Sequence, residues 1–155
     1  MDELLAKGLT RILAQGPRVI GVDIYQDLKV PQDRQVLNQV LTQYPEIIMG
    51  QKFGKPEQGG IPGRPIILKG TDRVGFSDMV VDQNQVVRRG LLFLDHGTTV
   101  SRSFPLLLAM TYLRPEGIIA EPAEENPDWL KLGQAVFRPF EADNGSFVQA
   151  DAQGY

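Results

Sequence analysis

The chain has 155 residues, 42% of them hydrophobic, and a formal net charge of -3. This length and composition predict one globular domain that buries roughly two thirds of its unfolded surface. The negative charge argues against a nucleic-acid partner, and the lack of cysteine excludes disulfides, cysteine-ligated zinc and thiol catalysis. No apolar run approaches the roughly 20 residues of a membrane span, and the first residues lack the regions of a signal peptide.

The first predicted element is an amphipathic helix. Its apolar residues recur at helical spacing: Leu5, Leu9, Ile12 and Leu13. Asp2 can cap its N-terminus, and Gly16 followed by Pro17 predicts its end.

The stretch from Pro17 to Tyr25 is predicted to be a central strand covered on both faces, because its alternate residues are largely apolar on both sides. Gly21 leaves room for a covering helix to come close. Asp23 falls near the carboxyl end of the strand, where open α/β sheets bind ligands. Asp23 and Tyr25 are therefore candidate ligand-binding residues.

A βαβ unit follows from this strand. A turn from Asp27 to Pro31 leads into a second amphipathic helix, which ends at Pro45, and Glu46 to Phe53 forms another apolar strand. The apolar side chains of this helix are Val36, Leu37, Val40, Leu41 and Tyr44. Strand, helix and strand at this spacing predict two parallel strands joined by a right-handed crossover.

The next predicted elements are a long loop and a hairpin. From Gly54 to Pro65 the chain is too rich in glycine and proline for a regular ladder; the loop is either a passive connection or functional. Val74 to Val81 and Val86 to Leu94 are predicted to be antiparallel strands around Asp82 to Gln85. The fold class is therefore α/β with a mixed β-sheet, a parallel βαβ unit, an antiparallel hairpin and helices on both faces.

The hairpin register predicts a charge pair. A turn over Asp82 to Gln85 places Asp78 opposite Arg89 on an otherwise apolar face, so the two are predicted to form a structural ion pair. Arg88 is a third candidate ligand-binding residue. The alternative, that Asp23 caps a turn and Arg88 is solvated, stays open.

A buried helix is predicted from Phe104 to Leu113, since it is apolar almost all round, Ser103 can cap it and Pro105 is tolerated in its first turn. Pro115 to Pro127 is acidic and is predicted to be irregular.

The C-terminal part is predicted to be β-structure. Trp129 to Leu132 and Ala135 to Phe140 form a small hairpin about Gly133-Gln134. A turn over Asp143 to Ser146, which includes a weak glycosylation match at Asn144-Gly-Ser146, precedes a strand from Phe147.

No catalytic or metal-binding arrangement stands out. His96 is the single histidine and is predicted to lie in a solvated turn. There is no phosphate-binding glycine loop and no nucleophilic serine elbow. We therefore predict no enzyme activity, cofactor or metal. A magnesium-dependent hydrolase using Asp23, Asp27 and Asp78 is the alternative, although Tyr25 stands where a second carboxylate would be needed.

Several stretches, in order, are similar to one known family: Pro17 to Ile24, Val74-Gly-Phe-Ser-Asp78, Val81-Asp82, Val86-Val-Arg-Arg89, Leu107 to Leu113 and Asp151-Ala-Gln-Gly-Tyr155. The chain resembles, over nearly its whole length, the CHASE family of type two, the cyclases/histidine kinases associated sensory extracellular domain. The segment from Val74 to Arg89 is the most specific part.

The resemblance implies a non-catalytic sensory domain outside the bacterial cytoplasmic membrane. In that family, transmembrane helices follow the domain and lead to an intracellular output module such as a nucleotide cyclase, a histidine kinase or a serine/threonine kinase. The implied input is an unknown small-molecule or environmental signal. A purely structural spacer that dimerises across the membrane surface is the other alternative.

The chain departs from the family pattern at both ends and in two turns. It lacks the usual membrane-entry helix and first strand, and stops at Tyr155 before a further strand, so residues 1–155 are expected to be one excised sensory domain. A missing strand predicts an exposed sheet edge and homo-oligomerisation, for instance through Phe147 to Tyr155. The usual Asp-Pro-Asp-Gly turn reads Asp82-Gln-Asn-Gln85, and the usual Gly-Gly-Tyr reads Gly145-Ser-Phe147.

Overall fold

A computed structural model describes residues 2–25, 34–53, 66–68, 70–81, 85–95, 99–141 and 143. Its helices are α1 (Asp2–Leu13), α2 (Arg34–Gln43) and α3 (Phe104–Leu113). Its strands are β1 (Ile20–Val22), β2 (Ile47–Gln51), β3 (Val74–Phe76), β4 (Phe93–Asp95), β5 (Val100–Arg102), β6 (Ala120–Pro122), β7 (Leu130–Leu132) and β8 (Ala135–Phe137). Short 3-10 turns cover Ile66–Leu68 and Arg114–Glu116. Parallel and antiparallel sheets with helices confirm the predicted mixed α/β class.

The helix α1 follows its sequence signals. Asp2 and Glu3 lie in its first turn and Arg11 in its last, so that charges oppose the helix dipole at both ends. Ala6 and Leu9 are buried on one side. Gly16 adopts a φ of +67°, a left-handed conformation that glycine takes at low cost, and this ends the helix where the sequence predicts.

The main sheet has the order β1-β2-β3, and both strand pairs are parallel. The predicted parallel pairing of the first two strands is confirmed, with Ile20 opposite Ile47. The prediction that 17–25 is central is wrong for the described residues, where the strand covers only 20–22 and lies at the edge. The central strand is β2, because its residues 47–50 are all buried and a central strand is covered on both faces.

Helices cover both faces of this sheet, as predicted. On one face α1 and α2 pack on β1 and β2. The buried residues of this core cluster are Ala6, Leu9, Ile20, Val22, Leu37, Leu41, Ile47, Met49 and Leu68. On the other face α3 packs on Ile48 through Phe104 and Leu107. Successive side chains of a strand point to opposite faces, so Ile47 and Met49 of β2 belong to the first cluster and Ile48 to the second.

Two glycines allow α3 to approach the sheet closely. A Cβ atom on Gly21 would lie 2.9 Å from the ring of Phe104, and one on Gly75 would lie 2.5 Å from the Phe104 Cα. The room predicted at Gly21 is therefore used by a covering helix. Ser103 caps this helix by accepting a 3.3 Å hydrogen bond from Leu106 N, as predicted.

The burial of α3 is less complete than predicted. Phe104, Leu106 and Leu107 are buried, but Tyr112 is 47% exposed. Arg18 covers part of the exposed side, since its guanidinium lies 4.9 Å from the centroid of the Tyr112 ring and donates a 2.6 Å hydrogen bond to Glu116 Oε1. That hydrogen bond raises the pKa of Arg18.

The predicted hairpin of 74–81 with 86–94 is wrong. Only Val74–Phe76 forms a strand within the first segment, and it pairs in parallel with β2, with Gly75 opposite Gly50. Only Phe93–Asp95 is a strand in the second segment, and it pairs antiparallel with β5. Burial explains the difference, because pairing with the buried β2 removes Phe76 fully from solvent.

The C-terminal hairpin is confirmed with shorter strands. The turn lies at Gly133, with a φ of +63°, and joins β7 to β8, which ends at Phe137 rather than Phe140. The prediction that 115–127 is irregular is wrong in part, because β6 pairs antiparallel with β7 and extends the hairpin to three strands.

Several predictions lie outside the described residues. These are the turn from Asp27 to Pro31, the loop from Gly54 to Pro65, the turn at His96, the Asn144-Gly-Ser146 turn and the tail from Phe147.

Candidate ligand-binding site

A cavity of about 440 Å³ lies at the carboxyl ends of the parallel strands. Its walls are formed by the residues that follow β1 and β3, by the segment 87–91 and by the N-terminal end of α3. The predicted location, beyond the carboxyl end of the 17–25 strand, thus coincides with a cavity. Its volume is within the roughly 300 to 1,000 Å³ that is usual for small-molecule sites.

Asp23 and Ser77 join the ends of the two outer strands. The Ser77 hydroxyl donates a 3.3 Å hydrogen bond to Asp23 Oδ1, and this contact passes over Gly50 of the central strand. A Cβ atom at Gly50 would lie 3.1 Å from Asp23 Oδ1 and 3.2 Å from Ser77 Oγ. The absence of a side chain at Gly50 therefore makes room for the contact.

Asp78 is held by the backbone that follows β2. Its Oδ2 accepts a 2.8 Å hydrogen bond from Phe53 N. Ser77 N donates to Gln51 O at 2.9 Å, and the Phe53 and Phe76 rings pack with centroids 5.3 Å apart. These contacts fix the segment after β3 next to the cavity.

Arg88 and Arg89 line the cavity from the opposite segment, but in different environments. Arg88 is exposed, whereas Arg89 is only 7% exposed. The guanidinium of Arg89 lies 5.3 Å from the centroid of the Phe140 ring, within the range of a cation–π contact. Arg89 therefore joins the cavity to the stretch that follows β8.

The remaining lining is largely apolar. Phe76 and Phe104 contribute from the sheet and from α3, together with Met79, Val87, Leu91 and Pro105. Apolar walls with a few placed charges are typical of sites that bind small organic molecules.

The structure brings together some of the predicted site residues. Asp23 and Arg88, predicted as ligand-binding candidates, line one cavity, and so do Asp78 and Arg89. Tyr25 is 40% exposed and lies outside the described lining. The hairpin register from which the Asp78–Arg89 ion pair was predicted is not formed. The ion pair itself stays a prediction.

Sequence reasoning missed Ser77 and the contributions of α3. The signal for Ser77 was present, because it follows an apolar strand just as Asp23 does. Reading 74–76 as a parallel strand would have placed both residues at the same edge of the sheet. Nothing local predicted that Phe104 would reach this edge, since its position depends on close packing at Gly21 and Gly75.

The described residues contain no group of three or more His, Asp or Glu side chains arranged to hold a metal ion. Of the three carboxylates in the hydrolase alternative, Asp23 and Asp78 accept hydrogen bonds from Ser77 and Phe53, and Asp27 lies outside the described residues.

A second, smaller cavity of about 250 Å³ lies between the β4–β5 hairpin and the C-terminal sheet. Phe93, Arg102 and Trp129 are among its lining residues. The Trp129 ring is also covered by the guanidinium of Arg138, 4.4 Å from the ring centroid. None of the residues predicted to be functional lines this cavity.

The described residues form an α/β fold with a cavity at the carboxyl ends of its parallel strands. The family model of the CHASE2 domain matches residues 1–152. The chain therefore belongs to the CHASE2 domain family, a family of sensory extracellular domains, and the resemblance seen in the sequence is confirmed. Neither the curated proteins nor the solved structures contain a significant match. Within the described ranges, every helix is too short or too polar to cross a membrane.

Proposed function

We propose that the chain is the non-catalytic signal-input domain of a bacterial transmembrane signalling protein, and that it binds a small molecule in the 440 Å³ cavity. The domain lies on the outer side of the cytoplasmic membrane, and transmembrane helices connect it to a cytoplasmic cyclase or kinase. One observation carries the proposal: the cavity collects Asp23 and Arg88 at the carboxyl ends of parallel strands, where α/β sheets bind their ligands.

The chemistry of the cavity supports binding rather than catalysis. The Asp23 carboxylate interacts with the Ser77 hydroxyl, and Asp78 with a backbone amide. Neither contact pairs a nucleophile with a histidine or lysine base, which is one of the usual ways in which an enzyme activates a nucleophile.

A path for the signal starts at Arg89. This buried residue lines the cavity and contacts the Phe140 ring, so a ligand that shifts the segment 87–91 also shifts the stretch after β8. If occupancy is coupled in this way, Phe140→Leu will weaken the coupling and leave the cavity itself in place. Hydrogen exchange of 138–141 with and without ligand measures the effect: protection on binding in the native chain, and less in the variant, is expected. Equal protection in both would contradict this path.

The binding proposal is tested by screening small metabolites for thermal stabilisation of the chain, followed by titration calorimetry of the compounds that respond. Arg88→Gln and Asp23→Asn are expected to abolish or weaken the response by at least ten-fold. Arg11→Gln and Glu125→Gln, both at exposed positions away from the cavity, serve as matched controls and retain it. An equal response in the cavity variants would overturn the proposed site.

The hydrolase alternative predicts a different result. Magnesium-stimulated phosphate release that Asp23→Asn abolishes would replace the sensory proposal with a hydrolase. On the sensory proposal, no such release occurs and magnesium does not raise the melting temperature.

A role in self-association is a second candidate, because β1 pairs with β2 alone among the described strands. An open strand edge can pair with a strand from another copy. The proposal predicts a concentration-dependent dimer by light scattering. A strictly monomeric chain at high concentration would contradict it.

A further inference from the structure

The charged groups that line the cavity are the carboxylates of Asp23 and Asp78 and the guanidinium groups of Arg88 and Arg89. Asp78 and Arg89 are held by contacts with other parts of the fold. Asp78 accepts a hydrogen bond from Phe53 N, and the buried Arg89 lies against the Phe140 ring. Asp23 and Arg88, one of each sign, are the exposed charged groups of the lining.

Both groups keep the capacity to bind a ligand beside their present contacts. The contact from Ser77 uses one oxygen of Asp23, and a carboxylate accepts several hydrogen bonds. A guanidinium has five N–H donors, so Arg88 can bind a carboxylate in addition to another partner.

The lining around these charges is apolar and includes Phe76, Leu91, Phe104 and Pro105. An apolar wall gains from contact with an apolar ligand body and strengthens the interaction of the charges beside it. A ligand with two negative charges would be repelled by Asp23 and Asp78, and one with two positive charges by the two arginines.

We infer that the ligand is a small zwitterion with an apolar body, the charge pattern of a hydrophobic amino acid. This inference rests on the proposed function of the cavity. The ammonium group binds Asp23, the carboxylate binds Arg88, and the apolar body lies against Leu91 and Phe104.

Four compounds of related structure test this inference by titration calorimetry with the native chain. L-leucine carries both charges and an apolar body, 4-methylpentanoate lacks the amine, 3-methylbutylamine lacks the carboxylate, and glycine lacks the body. Leucine is expected to bind at least ten-fold more tightly than each of the other three.

Two variants test which residue binds each charged group of the ligand. Asp23→Asn is expected to remove the preference for leucine over 4-methylpentanoate, and Arg88→Gln the preference for leucine over 3-methylbutylamine. Arg11→Gln, on the exposed surface of α1, keeps both preferences. Circular dichroism of each variant verifies that the fold is retained.

The outcomes separate this inference from the proposed function. If 4-methylpentanoate or 3-methylbutylamine binds as tightly as leucine, and a cavity variant abolishes that binding, the cavity is a ligand site but the zwitterion inference is wrong. If none of the four binds, the inference is also wrong, and the metabolite screen then decides the proposed function by itself. Leucine binding that both cavity variants leave unchanged would overturn both.

Discussion

Arg73 donates a 2.7 Å hydrogen bond from Nη1 to the carbonyl oxygen of Leu41, in the last turn of α2. Its Nη2 donates to Tyr44 O at 2.9 Å and its Nε to Ile47 O at 3.1 Å. Carbonyls at the end of a helix lack intrahelical donors, and a cation there also interacts favourably with the helix dipole. Burial lowers the pKa of Arg73, and the carboxylate of Glu46 opposes this shift. One side chain thus fixes the end of α2 and the start of β2 next to β3.

Replacement of Arg73 is expected to destabilise the fold. Arg73→Ala leaves three partly buried carbonyls without this donor, and we expect a loss of about 1.5 to 3 kcal/mol, the size of hydrogen bonds to charged groups. Arg73→Lys retains the charge but not the planar fork, so it restores only part of the stability. Urea unfolding measures both, with Arg11→Ala as control. Equal stability of Arg73→Ala and the native chain would contradict this role.

A side chain at Gly75 is expected to displace α3. A Cβ atom there would meet backbone atoms of Phe104 at 2.5 and 2.6 Å, which only a shift of the helix can relieve. Gly75→Ala should therefore cost about 1 to 3 kcal/mol in the free energy of unfolding.

The matched control for that substitution is Gly8→Ala. Nothing lies within 4 Å of a Cβ atom at Gly8, and alanine is favoured over glycine inside a helix such as α1. Gly8→Ala should stabilise the chain by about 0.5 to 1 kcal/mol. Similar losses for both variants would show that the close approach at Gly75 does not limit the packing.

A side chain at Gly50 tests the candidate site without changing any charge. The atoms nearest to its Cβ would be Asp23 Oδ1 and Ser77 Oγ, which are side-chain atoms and can move. We expect Gly50→Ala to remain folded, to lose about 1 kcal/mol with the Asp23–Ser77 hydrogen bond, and to bind ligand more weakly. Thermal unfolding and calorimetry with the compounds that bind the native chain measure these effects. Unchanged affinity would place the ligand away from Asp23.

We propose that Asp78 and Arg89 interact electrostatically, as opposite charges on the walls of one largely apolar cavity. Asp78→Asn keeps an oxygen that can accept from Phe53 N, and Arg89→Gln removes the positive charge. In a double-mutant cycle by denaturant unfolding at low salt, the coupling energy is expected to exceed about 0.5 kcal/mol. Additive losses would show that the two charges do not interact.

The sequence by itself determined the helices and the turns with local signals. The apolar spacing of Leu5 to Leu13 and the Gly16-Pro17 stop set α1, Ser103 set the start of α3, and the turn at Gly133 set the C-terminal hairpin. These signals act within a few residues, so they can be recognised without knowing which distant segment packs against them. The family was also read from the sequence, and the predicted location after the 17–25 strand coincides with a cavity.

Only the tertiary structure decided which strand the segment from Val74 pairs with. Its apolar alternation fits an antiparallel neighbour in sequence as well as a parallel neighbour in space, because a strand pattern specifies faces and not partners. The choice depends on contacts between distant residues: Arg73 with the end of α2, Gly75 with Phe104, and Asp78 with Phe53. The same contacts place Ser77 beside Asp23 and so build the cavity, which no local pattern could have shown.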